Sequence, residues 1–108
     1  MEDIIKELLD VIKYRKKYPL EKSYTCYLLD EGTDKILKKI GEECSETIIA
    51  VKNKDKNEIV NEISDLIYHL LVMTVNENIN IEDIKKELQI RAAKQQNLKE
   101  FHKTDKNT

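Results

Sequence analysis

Two acidic clusters offer the clearest chemistry in this chain: Glu42-Glu43-Cys44-Ser45-Glu46 and Glu62-Ile63-Ser64-Asp65. Each lies in a segment with the periodicity of an amphipathic helix. Each sets two carboxylates three residues apart, so both leave one side of that helix. If the two helices face one another, Glu43, Glu46, Glu62 and Asp65 form an oxygen-rich cage for a hard divalent cation such as Mg²⁺. That is the chemistry of a metal-dependent enzyme acting on a phosphate substrate. The competing reading is a solvated acidic face paired with lysines. Two such motifs on adjacent helices favour the cage. So does Asp65, a poor residue for mid-helix unless it has another task.

The elements that must position these groups are helical. Ile4, Ile5, Leu8, Leu9 and Ile12 recur at helical spacing and give a first helix over 2–16. It ends in Lys13-Tyr14-Arg15-Lys16-Lys17, before Pro19. This basic run reads equally as a helix end favoured by the dipole or as a phosphate contact. Residues 18–33 form a connection with a helical turn at 24–29; Gly32 ends it, and Thr33 or Asp34 can cap the next helix. A long helix over 34–53 has Ile36, Leu37, Ile40, Cys44, Ile48 and Val51 on its apolar face. A second, over 56–77, has Ile59, Val60, Ile63, Leu66, Ile67, Leu70, Leu71 and Thr74. A last helix runs from Ile81 to about 98. The short polar link between the long helices predicts an antiparallel hairpin. The expectation is one all-α domain over 1–98, with a frayed tail at 99–108.

At about 100° per residue, Glu43 falls roughly 70° and Glu46 roughly 130° from the centre of the apolar face, and Glu42 points further out. Glu43 and Glu46 therefore border the buried face, with Glu42 on the solvent side. On the next helix Glu58, Glu62, Asp65 and His69 form a stripe along the border. Half-buried carboxylates repel and lose hydration, and a bound cation is the simplest compensation. His69 can complete a metal site, donate to a substrate, or be a satisfied core residue.

Composition narrows the classes. The chain has 108 residues, 37% of them charged, with a net charge of only −2. A nucleic-acid binder would show a basic excess. Two glycines and one proline are too few for an all-β fold or a phosphate-cradling loop. Cys26 and Cys44 stand apart, without a CxxC, and read as free thiols of a reducing cytoplasm. The acidic, amphipathic start is not a secretory signal, and no stretch reaches the roughly 18 apolar residues of a membrane span.

The residues around the acids carry a resemblance. Glu43-x-x-Glu46 followed by Glu62-x-x-Asp65 is similar to the ExxE and ExxD motif of the all-α nucleoside triphosphate pyrophosphatases, which include the MazG-like proteins. Ser23-Tyr24-Thr25, the run from Gly32 through Lys35-Ile36-Leu37-Lys38-Lys39 to Glu43, and Glu62 to Val72 resemble the phosphoribosyl-ATP pyrophosphatase family within that superfamily. Asp10-Val11-Ile12 and Arg15-Lys16 resemble its first helix. The likeness covers about residue 5 to Arg91. Ala92 to Thr108 departs from the family's glycine-containing ending, and no cyclohydrolase domain is attached, which implies a stand-alone enzyme.

The resemblance implies Mg²⁺-dependent hydrolysis of phosphoribosyl-ATP to phosphoribosyl-AMP and pyrophosphate, the second step of histidine biosynthesis, in the cytoplasm. Glu43, Glu46, Glu62 and Asp65 would hold the metal, and Glu42 could activate a water. Arg15, Lys35, Lys38 and Lys39 are candidate contacts for the phosphates, with His69 also on the substrate side. Two long amphipathic helices leave apolar surface uncovered in one chain. The family's intertwined hairpins accordingly imply a four-helix-bundle-type homodimer. The alternatives are a MazG-like pyrophosphatase for non-canonical dNTPs and a non-enzymatic helical module whose acidic edge binds a protein.

Overall fold

The structure, a computed structural model, describes residues 1–97. The tail expected at 99–108 lies outside the described residues. These residues hold five helices and no strand: α1 (Glu2–Lys17), α2 (Tyr24–Glu31), α3 (Thr33–Lys52), α4 (Lys56–Asn76) and α5 (Ile81–Asn97). The all-α class and the order of elements agree with the periodicity. The chain divides into two compact units, one over Met1–Asn78 and one from Ile79 onward.

In the first unit α3 and α4 form the expected hairpin, joined by three residues. The link is a Schellman turn. Asp55 N–H reaches Ala50 O (3.4 Å) and Lys54 N–H reaches Val51 O (3.0 Å), with Lys54 left-handed at φ 55°. The Asp55 carboxylate then caps α4, accepting from Glu58 N–H at 3.2 Å. At the far end, the Thr33 hydroxyl donates to Glu77 (3.3 Å) and accepts from the Asn76 side chain (3.1 Å). Thr33 is thus the first residue of α3 rather than its cap. Gly32 holds the cap position, at φ 89°, and also closes α2 by donating to Leu28 O at 2.9 Å. One glycine makes the sharp turn between two helices, so no side-chain cap fits there.

Helix α1 packs on α4 and α2, and α2 packs on both arms of the hairpin. The buried apolar residues are Leu9 and Ile12 of α1, Leu28 of α2, Ile36 and Ala50 of α3, and Leu71, Val72 and Val75 of α4. Their stripe is displaced from the one the helical wheels select. On α3, Leu37, Ile48 and Val51 are exposed, as is Cys44. On α4, Val60, Ile63 and Leu70 are exposed. The face of α3 that meets α4 repeats by sevens through Ile36, Glu43 and Ala50. The richest apolar stripe lies to one side of that seam and is exposed among the described residues.

In the second unit, Asn80 opens α5. Its side chain accepts from Glu82 N–H at 2.9 Å and its carbonyl from Asp83 N–H at 3.0 Å. Glu87 and Arg91 pair along the helix at 3.2 Å.

Candidate active site

The displaced seam changes where the acids stand. Glu43 is not at the border of the buried face but within it, and Glu62 faces it from α4. Glu43, Glu62 and the half-buried Asp65 each bring a carboxylate oxygen to within 4.8 Å of the others. Glu62 and Asp65 share a face because they are three apart on one helix. Glu43 Oε2 and Glu62 Oε2 are buried and have no hydrogen-bond partner. Buried, unpaired oxygens of this kind are rare in folded proteins and mark a missing partner.

The acids also raise one another's pKa. Burial pushes the Glu43 carboxyl up, and the nearby charges of Glu46 and Asp65 add to it. Glu62 is raised first by the Glu43 carboxyl beside it, and Glu46 first by the Glu62 carboxyl. Like charges crowded together favour the neutral form. Glu46 lies outside the three-oxygen group. It is exposed and lines a 180 Å³ pocket with Glu58 and Glu62, at the rim of the cluster. Glu42 is exposed and turned toward Lys39, at 4.0 Å, in keeping with its solvent-side placement on the wheel.

His69 is buried and both its nitrogens are engaged. Nδ1 lies 2.8 Å from the Asp65 carbonyl, which can only accept, so Nδ1 carries the proton. In the neutral ring Nε2 is then the acceptor for the Tyr24 hydroxyl, also at 2.8 Å. His69 is therefore a link between α4 and α2. Around it gather Tyr24, Tyr27 and Tyr68. The Tyr24 ring is nearly parallel to those of Tyr27 and Tyr68, each 6.2 Å away, and the Tyr68 hydroxyl meets that of Thr25. Burial raises the Tyr24 phenol, and the charges of Glu43 and Asp65 reinforce this. The acidic pattern gives these tyrosines no role; the signal for Tyr24 and Tyr68 was their place in the Ser23-Tyr24-Thr25 and Glu62 to Val72 runs.

Beside this group opens a cleft of about 810 Å³, between the end of α1 and α2. Arg15, Lys16, Tyr24 and Tyr27 are among its walls. Arg15 stacks over Tyr14 at 4.9 Å and donates to Tyr18 O at 3.2 Å. Lys35 sits 5.8 Å from the centre of the Tyr27 ring. Lys38 is exposed on α3 and does not line the cleft. The candidate cations thus divide: Arg15 lines the cleft and Lys35 stands over one of its tyrosines, Lys39 stands with Glu42, and Lys38 faces solvent.

Comparison with known proteins fits this arrangement. The family model for phosphoribosyl-ATP pyrophosphohydrolase matches residues 5–92. A phosphoribosyl-ATP pyrophosphatase of Bacillus cytotoxicus is 53% identical over 94 residues, covering 87% of this chain and 88% of that protein. Its counterpart in Clostridium acetobutylicum is 52% identical over 98 residues, covering 91% and 89%. The histidine biosynthesis bifunctional protein HisIE of Lactococcus lactis is 52% identical over 100 residues, 93% of this chain but 47% of that longer protein. With a match across most of its length and half of its residues shared, this chain belongs to the phosphoribosyl-ATP pyrophosphohydrolase family.

Proposed function

We propose that this chain hydrolyses phosphoribosyl-ATP to phosphoribosyl-AMP and pyrophosphate, the second step of histidine biosynthesis, using Mg²⁺. The observation that carries the reading is the pair of buried, unpartnered oxygens of Glu43 and Glu62, with Asp65 beside them. Oxygen-only, anionic and partly desolvated, this donor set fits a hard divalent cation. Glu43, Glu62 and Asp65 would hold it, with Glu46 at the rim as a fourth ligand. When bound, Mg²⁺ supplies charge neutralisation at the phosphates and lowers the pKa of water.

The chain's own residues do the rest. The bond to be cut joins the α and β phosphates. Glu42, exposed and outside the cluster, is the neighbouring carboxylate left free to take a proton from the attacking water. Negative charge grows on the departing pyrophosphate, and fixed cations lower its energy. Arg15, at the cleft, and Lys35, Lys38 and Lys39, on α3, are the side chains assigned to that work. His69 holds Tyr24 rather than a metal.

The uncovered stripe of Leu37, Ile48, Val51, Val60 and Ile63 supports a homodimer in which a second hairpin completes a four-helix bundle. The two free cysteines suit a reducing cytoplasm. No described helix is long and apolar enough to cross a membrane.

The test is pyrophosphate release from phosphoribosyl-ATP, with and without Mg²⁺, against non-canonical dNTPs as competing substrates. Release from phosphoribosyl-ATP alone, abolished by EDTA, is expected. Turnover of dNTPs in its place would reassign the enzyme within the superfamily. No turnover of either would leave a helical interaction module.

A further inference from the structure

We propose that Tyr24 and Tyr27 form the seat of the purine ring, and that His69 is the positioning residue that holds Tyr24 in place for it. This rests on the nucleotide-hydrolysing reading above. The cleft of about 810 Å³ has room for a nucleoside monophosphate. Its walls carry two nearly parallel aromatic rings, both about half exposed, but none of Glu43, Glu62 or Asp65. A base is flat and uncharged and stacks on such rings, whereas phosphates and their cation belong with the carboxylates. A nucleotide lying across the two regions must pass Tyr24, which lines the cleft and is tied through His69 to the Asp65 turn of α4. With the proton of the neutral ring on Nδ1, Nε2 accepts from the Tyr24 hydroxyl. Buried and held at both nitrogens, the imidazole fixes the tyrosine relative to the acids.

The test uses the metal-free protein and two probes, AMP and ribose 5-phosphate, followed by NMR of the tyrosine ring signals. AMP is expected to shift the Tyr24 and Tyr27 rings, and ribose 5-phosphate to leave them in place. Tyr24→Leu should weaken AMP binding about tenfold, the loss that one base–aromatic stack supports. With phosphoribosyl-ATP and Mg²⁺ the same variant should raise KM with kcat little changed, the mark of lost uniform binding. His69→Leu should weaken AMP in the same direction. His69→Gln, whose carbonyl can still accept from Tyr24, should recover most of it, as a merely structural role would not require. If His69→Leu does not fold, Tyr24→Phe stands in: it keeps the ring, drops the hydroxyl and should bind AMP with intermediate affinity. Equal ring shifts from both probes, or unchanged AMP affinity in Tyr24→Leu, would overturn the proposal. Failure of the hydrolytic reading is separate, because it leaves AMP binding intact while no pyrophosphate is released.

Discussion

Glu43 on α3 and Glu62 on α4 confront each other across the hairpin seam, each 9% exposed and each with an Oε2 that no donor reaches. Hydrophobic packing alone would put apolar residues at both positions. Desolvated carboxylates cost stability unless something neutralises them. The first expectation is therefore a trade between function and stability. Glu62→Gln should melt higher than wild type at pH 7 in EDTA and lose about three orders of magnitude in kcat, since a metal site contributes several kcal/mol to the transition state. Near-wild-type turnover in this variant would remove Glu62 from the site.

The same crowding sets a pH dependence. Glu43, Glu46 and Glu62 are all raised in the folded protein, Glu43 by burial and the other two by the neighbouring carboxyls. A raised folded-state pKa means that the folded protein binds protons more tightly than the unfolded chain. The resulting stabilisation is full below the unfolded carboxylate range, near pH 4.3 for glutamate, and is lost as pH rises through the folded values. Metal-free wild type should accordingly lose more melting temperature between pH 5 and 7.5 than Glu62→Gln does. Parallel curves for the two proteins would contradict the coupling.

Magnesium should reverse that loss. A cation that binds only the folded state stabilises by mass action, by about 2.7 kcal/mol at one hundred times its Kd. Thermal melts at pH 7.5 should rise with Mg²⁺ in wild type and stay flat in Asp65→Asn, which keeps the shape of the site but removes one of the three converging charges. A rise of equal size in both would locate Mg²⁺ elsewhere.

The exposed apolar stripe makes a prediction about assembly. Val60 is 66% exposed and Ile48 63%, on adjacent arms of the hairpin. Wild type should be a dimer by light scattering at micromolar concentration. Val60→Asp combined with Ile48→Asp should give monomers, because charges buried in such an interface lack partners. A wild-type monomer would remove the bundle.

The helices were legible because their apolar spacing is strong, and the acids were legible because ExxE and ExxD place carboxylates in pairs. The rotation of α3 was not. A helical wheel finds the most apolar face, and here that face is exposed: Ile48 and Val51 lie outside while Glu43 lies inside. The wheel cannot tell a seam within one chain from a surface awaiting another. Glu42 was separable from Glu43 because their directions differ by about 100°. The same rotation brings Glu46 from about 130° to about 60° of the seam's centre, so the wheel sets both glutamates too far out. Tyr24 was legible within the Ser23-Tyr24-Thr25 run, but its role was not, because its partner, His69, is 45 positions away and meets it only through the fold. Lys54 in the left-handed region was equally hidden, since neither its type nor its neighbours announce it.

That lysine gives the last expectation. Lys54 takes φ 55° as the pivot of the Schellman turn that sets α3 against α4. A side chain in this region crowds the following carbonyl, and glycine escapes the clash while losing more entropy on folding. The balance favours Lys54→Gly by about 0.5–1 kcal/mol. For a domain of this size that is a rise of about 2–8 °C in melting temperature. Gly32, at φ 89°, presents the opposite case: no atom lies within 4 Å of the place a methyl group would take, so the conformation alone opposes a side chain. Gly32→Ala should cost about 1–2 kcal/mol. The two substitutions act at opposite ends of α3 and should add within about 0.5 kcal/mol. Denaturant melts would check both, and a stabilising Gly32→Ala would mean that the turn between α2 and α3 is not the one described.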